Sequence, residues 1–249
     1  ALRHPALAQS SFKVPILGIL NAMKIDDVGQ DVERLIASGY TTIKVKAGWD
    51  VDADLARVAE VQRHVAGRAR IRIDANQGYS VADACRFVSY LNPQDIELFE
   101  QGCAAGDWDA AVAVKRAAIV PIMLDESIYD IKDVETAARL GAADFIKLKL
   151  MKLGSLDALE RALERVSELG MEAILGNGVA TEIGCWMEAC VAAQMLKRTS
   201  EMNGFLKQRD SLLRQNMHVK DGCIVMDDSF APELNLERLE DITVAMQKL

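Results

Sequence analysis

Three acidic residues and one lysine end short apolar runs at nearly equal intervals along this chain. Asp74, Glu100 and Asp125 end three of these runs, and Lys149 ends the fourth. The intervals of 26, 25 and 24 residues match the length of one strand, one helix and two loops. In a parallel barrel the carboxyl ends of all strands meet at one rim. The spacing therefore predicts that these four side chains converge at that rim.

Apolar runs alternate with amphipathic stretches of helical period, which is typical of an α/β fold with a parallel sheet. Ser80, Asp130 and Ser155 stand where helix N-caps are expected, and Gly141 and Gly170 stand where two helices should end. We predict a modified (β/α)8 TIM-type barrel of (β/α)7β-like order. Its predicted strands are Pro15–Leu20, Thr42–Lys46, Ile71–Asp74, Ile96–Glu100, Ile122–Asp125, Phe145–Lys149, Glu172–Leu175 and a weaker one near Met202–Leu206.

The pattern changes after Leu206. Within Val219–Asp228, the pair Asp221-Gly222 is flanked by apolar residues, which predicts a β-hairpin with a two-residue turn. We therefore expect the barrel to carry a C-terminal hairpin extension.

Composition narrows the class of partner. The 249 residues are half hydrophobic, enough for a full core, and the net charge of −8 argues against nucleic acid or an anionic membrane as partner. No apolar run approaches the roughly 20 residues that span a bilayer. The cysteines are odd in number and lack CxxC spacing, which favours free thiols in a reducing cytoplasm. They are Cys85, Cys103, Cys185, Cys190 and Cys223.

The three carboxylates predict a metal site. Three like charges at one rim repel unless a cation neutralises them, and Mg²⁺ binds carboxylate oxygens together with water and substrate oxygens. An acid after a strand can instead cap the next helix. Capping could explain any one of these residues, but it explains less well why Asp74, Glu100 and Asp125 all stand at matching positions.

Lysines follow the same strands. Lys44 and Lys46 lie at i and i+2, so both point to one face of their strand, and neighbouring charge and burial should lower their pKa values. A lysine with a lowered pKa can remove a proton from carbon. A solvated strand with outward lysines is the alternative. Lys147 and Lys149 also share a face, and period two does not decide which is at the rim; Lys152 is interpreted as a surface charge.

Other chemistries have little support. His4, His64 and His218 are interpreted as surface or structural residues, and no histidine is placed to activate Ser127. The turn Gly176-Asn177-Gly178 lacks the GxGxxG spacing of a dinucleotide site.

Together these motifs resemble the enolase superfamily, and within it the muconate-lactonizing-enzyme subgroup. The similarity runs from about Val14 to the hairpin near Asp228. The segments that carry it are IKVKAG (Lys44, Lys46), IRIDANQGYS (Asp74, Asn76), LFEQ (Glu100), LDESI (Asp125) and DFIKLKLMKLGS (Lys149).

The resemblance implies Asp74, Glu100 and Asp125 as ligands of Mg²⁺, with Mn²⁺ as a substitute. It implies Lys46 and Lys149 as acid/base groups on opposite faces of the substrate, and so selects Lys149 over Lys147. Lys44 would hold a carboxylate and lower the pKa of Lys46. We place Asn76 and Glu126 just outside the metal ligands.

Family members carry an N-terminal α+β domain that caps the barrel mouth. We expect residues 1–13 to be a remnant of it or a linker to it, residues 14–206 to be the catalytic barrel, and residues 207–249 to pack on the barrel or the cap. Without the cap, we expect metal binding and folding but poor catalysis and a tendency to self-associate. Many subgroup members also have a glutamate after the seventh strand, where this chain has Ala180, with Glu182 two residues later.

The resemblance predicts Mg²⁺-dependent removal of a proton α to a carboxylate through an enediolate. A racemase or epimerase of a small amino-acid-like carboxylate is the first choice, and a cycloisomerase or o-succinylbenzoate synthase is the alternative. Two other classes are a catalytically silent metal-binding barrel and a Schiff-base lysine aldolase. We also expect a cytoplasmic homo-oligomer.

Overall fold

Seven parallel strands form one curled sheet in the computed structural model, which describes residues 4–8, 11–177, 180–227, 230 and 232–243. Each of these strands pairs with the next one along the chain. Strand β1 (Phe12–Pro15) belongs to a second sheet. The barrel strands are β2 (Gly18–Ile19), β3 (Thr42–Lys46), β4 (Arg70–Asp74), β5 (Ile96–Glu100), β6 (Ile122–Leu124), β7 (Phe145–Leu148) and β8 (Glu172–Leu175).

Helices connect the strands, and their predicted caps are confirmed. Ser80, Asp130 and Ser155 each accept a hydrogen bond from a backbone amide of the helix that follows. Gly141 and Gly170 have positive φ of 62° and 76° at helix ends, where a Cβ would be strained. The helices are α1 (Ile25–Ala37), α2 (Val51–Val65), α3 (Val81–Tyr90), α4 (Trp108–Ala117), α5 (Ile131–Leu140), α6 (Leu150–Leu153), α7 (Leu156–Glu168), α8 (Glu182–Met195) and α9 (Leu236–Ile242), with 3₁₀ turns at Pro5–Leu7 and Gly204–Lys207. Within the described ranges, no helix combines the length and apolar character needed to cross a membrane.

A two-residue segment closes the barrel between its first and last strands. Ser200 forms a parallel bridge with Ile16, and Glu201 forms one with Gly176. The Leu17 amide donates to the Ser200 carbonyl at 3.0 Å, and the Glu201 amide donates to the carbonyl that ends β8 at 2.8 Å. Ser200–Glu201 therefore occupies the eighth position of the ring.

Two strand predictions were wrong. The predicted strand near Met202–Leu206 is not one, because the bridging residues come earlier and Gly204–Lys207 forms a 3₁₀ turn. A Cβ on Gly204 would lie 2.6 Å from Asn177 Oδ1. The backbone at Gly204 therefore lies too close to Asn177 for a strand residue with a side chain. The predicted strand Pro15–Leu20 contains the last residue of β1 and the whole of β2, and these two strands belong to different sheets.

The predicted hairpin is confirmed over β9 (His218–Lys220) and β10 (Cys223–Met226). Its turn residues Asp221 and Gly222 have φ of 51° and 68°, as the turn of a two-residue hairpin requires. Strand β1 pairs antiparallel with β10, so the start of the chain joins the extension in a three-stranded sheet. Asp228 lies outside the described residues. The division into segments 1–13, 14–206 and 207–249 stays a prediction.

The barrel interior contains both charged and apolar side chains. Along β4, Arg72 and Asp74 alternate with Ile71 and Ile73, and all four are buried. An inner apolar cluster consists of Leu98, Met123, Phe145 and Ile174, whereas the larger apolar clusters lie between the sheet and the helices.

An aromatic cluster fixes α3 against β5. The ring centroid of Phe87, which is fully buried, lies 5.3 Å from those of Tyr79 and Phe99. We expect Phe87→Ala to lower the free energy of unfolding by about 3–5 kcal/mol, because it leaves a cavity. Tyr90→Ala on the same helix, where the side chain is 74% exposed, should change it by less than about 0.5 kcal/mol. Urea denaturation of both variants measures the difference, and equal values would contradict it.

Candidate active site

The carboxyl ends of the barrel strands bring the predicted site residues to one rim. Lys46, Asp74 and Glu100 are the last residues of β3, β4 and β5, and Asp125 and Lys149 directly follow β6 and β7. Lys46 is paired in register with Asp74, and Asp74 with Glu100. The convergence predicted from the spacing is present in the structure.

Lys44 lies beneath this rim and binds two of the predicted ligands. Its Nζ is 2.8 Å from Asp74 Oδ2 and 3.0 Å from Glu100 Oε2, and its side chain is 2% exposed. It also donates to Glu201 Oε2 at 2.8 Å. Lys44 therefore points into the barrel, which rules out the alternative of a solvated strand.

Lys147 lies opposite Lys44 at the same depth. Its Nζ is 2.8 Å from Glu100 Oε1 and 3.6 Å from Asp125 Oδ2, and it also donates to Glu201. Lys147 is therefore an interior counterion and does not stand at the rim.

The two rim lysines each bind a different carboxylate. Lys46 Nζ is 2.7 Å from Asp74 Oδ2, and Lys149 Nζ is 2.7 Å from Asp125 Oδ1. Their side chains are 36% and 12% exposed, whereas Lys147 is 2% exposed. With Ser200–Glu201 as the eighth position, β3 and β7 are half a ring apart. The two ammonium groups therefore approach the barrel mouth from opposite sides.

Asn76 and Glu126 lie next to this centre. The Asn76 carboxamide accepts from Lys46 Nζ and donates to Glu126 Oε1 at 2.9 Å, and its backbone amide donates to Asp74 Oδ1 at 2.9 Å. Asn76 has a φ of 43°, a left-handed conformation that asparagine tolerates better than most residues.

The interpretation of Lys152 as a surface charge was wrong. Its Nζ donates to the carbonyl oxygens of Asp125 at 2.8 Å and Ile128 at 2.6 Å, and its side chain is 10% exposed. It also lies 5.3 Å from the centre of the Tyr129 ring. Lys152 lies on the short helix α6, which directs its side chain towards the loop after β6. Strand periodicity does not predict the direction of a side chain on a helix.

Burial and charge set the titration of the site. Burial alone would raise the pKa of Asp125, but the charges of Lys147 and Lys149 outweigh it and lower this pKa to about 2. Burial dominates at Glu100 and raises its pKa to about 7. Burial also acts to lower the pKa of Lys44, but nearby carboxylates, Glu100 first, outweigh it and raise that pKa. The predicted lowered pKa at Lys44 was therefore wrong.

The donor set suits a hard divalent cation. The three buried carboxylates of Asp74, Glu100 and Asp125 supply oxygen ligands, and the ammonium groups of Lys44 and Lys147 link them. Glu100 Oε2 accepts no hydrogen bond of good geometry. In the described part of the chain, no three acidic, histidine or cysteine side chains lie close enough together to hold a metal ion as they stand. Lysine side chains balance the charges of the carboxylates instead. The assignment of Asp74, Glu100 and Asp125 as metal ligands stays a prediction.

Sequence reasoning missed two buried glutamates. Glu201 bridges Lys44 and Lys147, and Glu188 on α8 is 1% exposed beside the end of β7. The rim residues follow one another at nearly equal intervals, and Glu201 lies two such intervals after Lys149. The spacing could therefore have indicated Glu201 as a further residue of the site. Glu188 lies inside a helix and has no such signal.

The remaining candidates have structural partners. Glu182, near the position of the subgroup's glutamate, accepts from Ser211 Oγ and the Leu212 amide, and so holds the segment that follows the barrel. Buried Ser127 accepts from Gln101 Nε2 at 2.8 Å. His4 caps the first 3₁₀ turn, and His64 pairs with a glutamate on its own helix. The five cysteines all lie in the described part of the chain, and none of them forms a disulfide.

Residues 27–232 match the family described as enolase C-terminal domain-like. This chain belongs to that family. It is 30% identical to the L-Ala-D/L-Glu epimerase of Bacillus subtilis (strain 168) over 171 residues, which are 68% of this chain and 47% of that protein. It is 27% identical to the N-succinyl-L-Arg/Lys racemase of Bacillus cereus over 237 residues, 92% of this chain and 63% of that protein.

Solved structures share the fold. The muconate cycloisomerase of Pseudomonas fluorescens superposes with a TM-score of 0.84 at 26% identity, over 92% of this chain and 65% of that one. This agreement confirms the predicted modified barrel and the resemblance to the muconate-lactonizing subgroup. The chain spans about half to two thirds of the length of the relatives it matches.

Proposed function

We propose that this chain carries the proton-transfer centre of an enzyme that removes a proton α to a carboxylate, and that it acts as a racemase or epimerase of a small amino-acid-like carboxylate. One observation carries the proposal. Lys46 and Lys149 lie half a ring apart at the same rim, each paired with a different carboxylate. Two such groups can remove a proton from one face of a carbon and return it from the other.

The relatives support this choice of reaction. By their names, the relatives described above are an epimerase of L-Ala-D/L-Glu and a racemase of N-succinyl-L-Arg/Lys, both of which are amino-acid derivatives. We propose the same class of substrate here, without choosing the side chain.

Asp74, Glu100 and Asp125 would hold a Mg²⁺ or Mn²⁺ ion. Such an ion would neutralise the charge that develops on the substrate carboxylate as the proton leaves. The two rim lysines are among the ammonium groups that contact Asp74 and Asp125, so occupation of these carboxylates by a metal would free Lys46 and Lys149 for the substrate.

The chain's own residues would hold and move the proton. Lys46 is oriented by the Asn76 carboxamide, and Asn76 is held in turn by Glu126. Lys149 donates to Asp125 until a metal takes that carboxylate. The side chains of Lys44 and Lys147 are 2% exposed, and their charges balance the acidic interior.

A cycloisomerase is the second candidate, because the muconate cycloisomerase fold overlays most of this chain. In that reaction only one rim lysine would transfer a proton, and the other would act through its charge. The dehydration by an o-succinylbenzoate synthase would likewise need one proton-transfer lysine.

A homo-oligomeric state, a cytoplasmic location and the lack of a nucleic-acid partner stay predictions.

Solvent-deuterium exchange tests the proposal directly. With Mg²⁺ present, the chain in D₂O should incorporate deuterium at the α-carbon of at least one carboxylate in a panel of dipeptides and N-acyl amino acids, followed by NMR. Metal removal with EDTA should stop the exchange, and Mg²⁺ should restore it. A barrel that binds Mg²⁺ but exchanges no panel member would support the catalytically silent class. Covalent trapping of a carbonyl substrate by borohydride would instead indicate a Schiff-base lysine.

A further inference from the structure

Glu188 is a buried carboxylate that the proposed reaction does not use. It lies on α8 and is 1% exposed. Its Oε1 accepts a hydrogen bond from the Leu150 amide at 2.9 Å, and its Oε2 accepts one from Asn177 Nδ2 at 2.6 Å. One side chain therefore holds the residues that follow two adjacent barrel strands, β7 and β8.

The Leu150 amide is the first peptide after Lys149. Lys149 is the N-cap residue of α6, with φ −134° and ψ 126°, and its side chain makes no capping hydrogen bond. The chain therefore turns from strand to helix at the residue that is proposed to face the substrate. Glu188 supplies the acceptor for the first amide of that helix and so fixes the direction in which Lys149 leaves the backbone.

Asn177 extends this contact to the closing segment of the barrel. Its Oδ1 accepts from the Gly204 amide at 3.0 Å, while its Nδ2 donates to Glu188. Both amide functions of Asn177 are thus used, and Glu188 is linked through it to the turn after Glu201. A shift of α8 would therefore be transmitted to Lys149.

The charge of Glu188 also reaches Lys149. Burial raises the pKa of Glu188 to about 7, and hydrogen bonds from Asn177 and Leu150 and the charges of Lys149 and Lys147 act in the opposite direction. The groups that face it from the packed elements are Lys149, Lys147 and Cys185. Lys149 itself also faces Asp125 and Lys152.

We infer that Glu188 is a positioning residue for Lys149, holding its backbone without touching the substrate. The inference rests on the proposed role of Lys149 in proton transfer. Glu188 acts on one of the two proton-transfer lysines and not on the other.

The opposite side of the barrel has its own buried carboxylate. Asp54 on α2 accepts from the amides of Gly48 and Trp49, both at 3.0 Å, directly after Lys46 on β3. Tyr79 donates its hydroxyl to the same carboxylate at 2.6 Å. Because the loop after Lys46 has separate support, a change at Glu188 should not reach that lysine.

The test compares Glu188→Gln with Glu182→Gln. Both glutamates lie on α8, are buried, and accept one backbone amide and one side-chain donor, but Glu182 holds the segment after the barrel. Glu188→Gln should slow exchange of the enantiomer that depends on Lys149 by about tenfold to a hundredfold and leave the other within about twofold. Glu182→Gln should leave the ratio of the two enantiomers unchanged.

A second measurement does not depend on turnover. Amide hydrogen–deuterium exchange, followed by NMR, reports the strength of the hydrogen bond from the Leu150 amide to Glu188. In Glu188→Gln a neutral acceptor replaces a charged one, so the Leu150 amide should exchange about tenfold faster than in the wild type. Glu188→Asp shortens the reach to the same amide, so it should also speed this exchange. It supplies the comparison if Glu188→Gln does not fold.

Equal loss of both enantiomers in the Glu188 variants, with unchanged hydrogen exchange of the Leu150 amide, would overturn the inference and reduce Glu188 to a packing residue. If the wild-type protein exchanges neither enantiomer, the proposed function fails. The amide exchange then decides the role of Glu188 by itself: faster exchange at Leu150 in Glu188→Gln than in Glu182→Gln supports it, and equal rates overturn it.

Discussion

Lys149→Ala should abolish exchange of the α-hydrogen of one enantiomer while some exchange of the other remains. Lys149 and Lys46 are half a ring apart, so each serves one face of the substrate. Loss of a positioned acid/base group lowers the affected rate by about 10²–10⁴-fold. Lys46→Ala should show the opposite preference. Deuterium incorporation from D₂O, followed by NMR for each enantiomer, measures both variants.

Lys132→Ala provides the control, because Lys132 is an exposed lysine of α5. It should leave both exchange rates unchanged. Equal residual exchange of both enantiomers in each single variant would show that the two lysines do not work from opposite faces. Complete loss of both in only one variant would favour the cycloisomerase or dehydratase alternative, in which one lysine transfers the proton.

Asp125→Asn should weaken Mg²⁺ binding by tenfold or more, because a neutral amide replaces one of three anionic donors, and affinity for hard cations follows ligand charge. The lysines that surround Asp125 would then also lose a counterion, which adds repulsion against any cation. Titration calorimetry measures the affinity, and the Mg²⁺-dependent rise in thermal stability provides a second readout.

Asp109→Asn, in the exposed first turn of α4, is the matched control and should bind Mg²⁺ as the wild type does. Equal affinity in wild type and Asp125→Asn would reject Asp125 as a ligand. Asp74→Asn and Glu100→Gln should each weaken binding as well, since the prediction assigns all three carboxylates to one ion.

Local signals in the sequence predicted much of the fold. Ser80, Asp130 and Ser155 cap the helices that follow them, since an N-cap depends on residues within one turn. The hairpin turn at Asp221-Gly222 was likewise predictable, because its positive φ values restrict the residues that fit.

Predictions failed where distant segments decide the conformation. The closing strand was placed at Met202–Leu206, but closure uses only Ser200 and Glu201, and Gly204 turns away to accept the close approach of Asn177. Lys152 was interpreted as exposed because nothing near it in sequence shows that carbonyls after β6 would receive its ammonium group.

The sequence by itself determined which residues reach the rim. Strand period and repeat length fix where each parallel strand ends, so Asp74, Glu100, Asp125 and Lys149 could be assigned to one edge before any contact was known. Only the tertiary structure decided what surrounds them. The burial of Lys44 and Lys147, the raised pKa of Lys44, and the places of Glu201 and Glu188 depend on contacts between residues far apart in the chain. Desolvation and charge pairing act through distance in space, which a linear pattern does not encode.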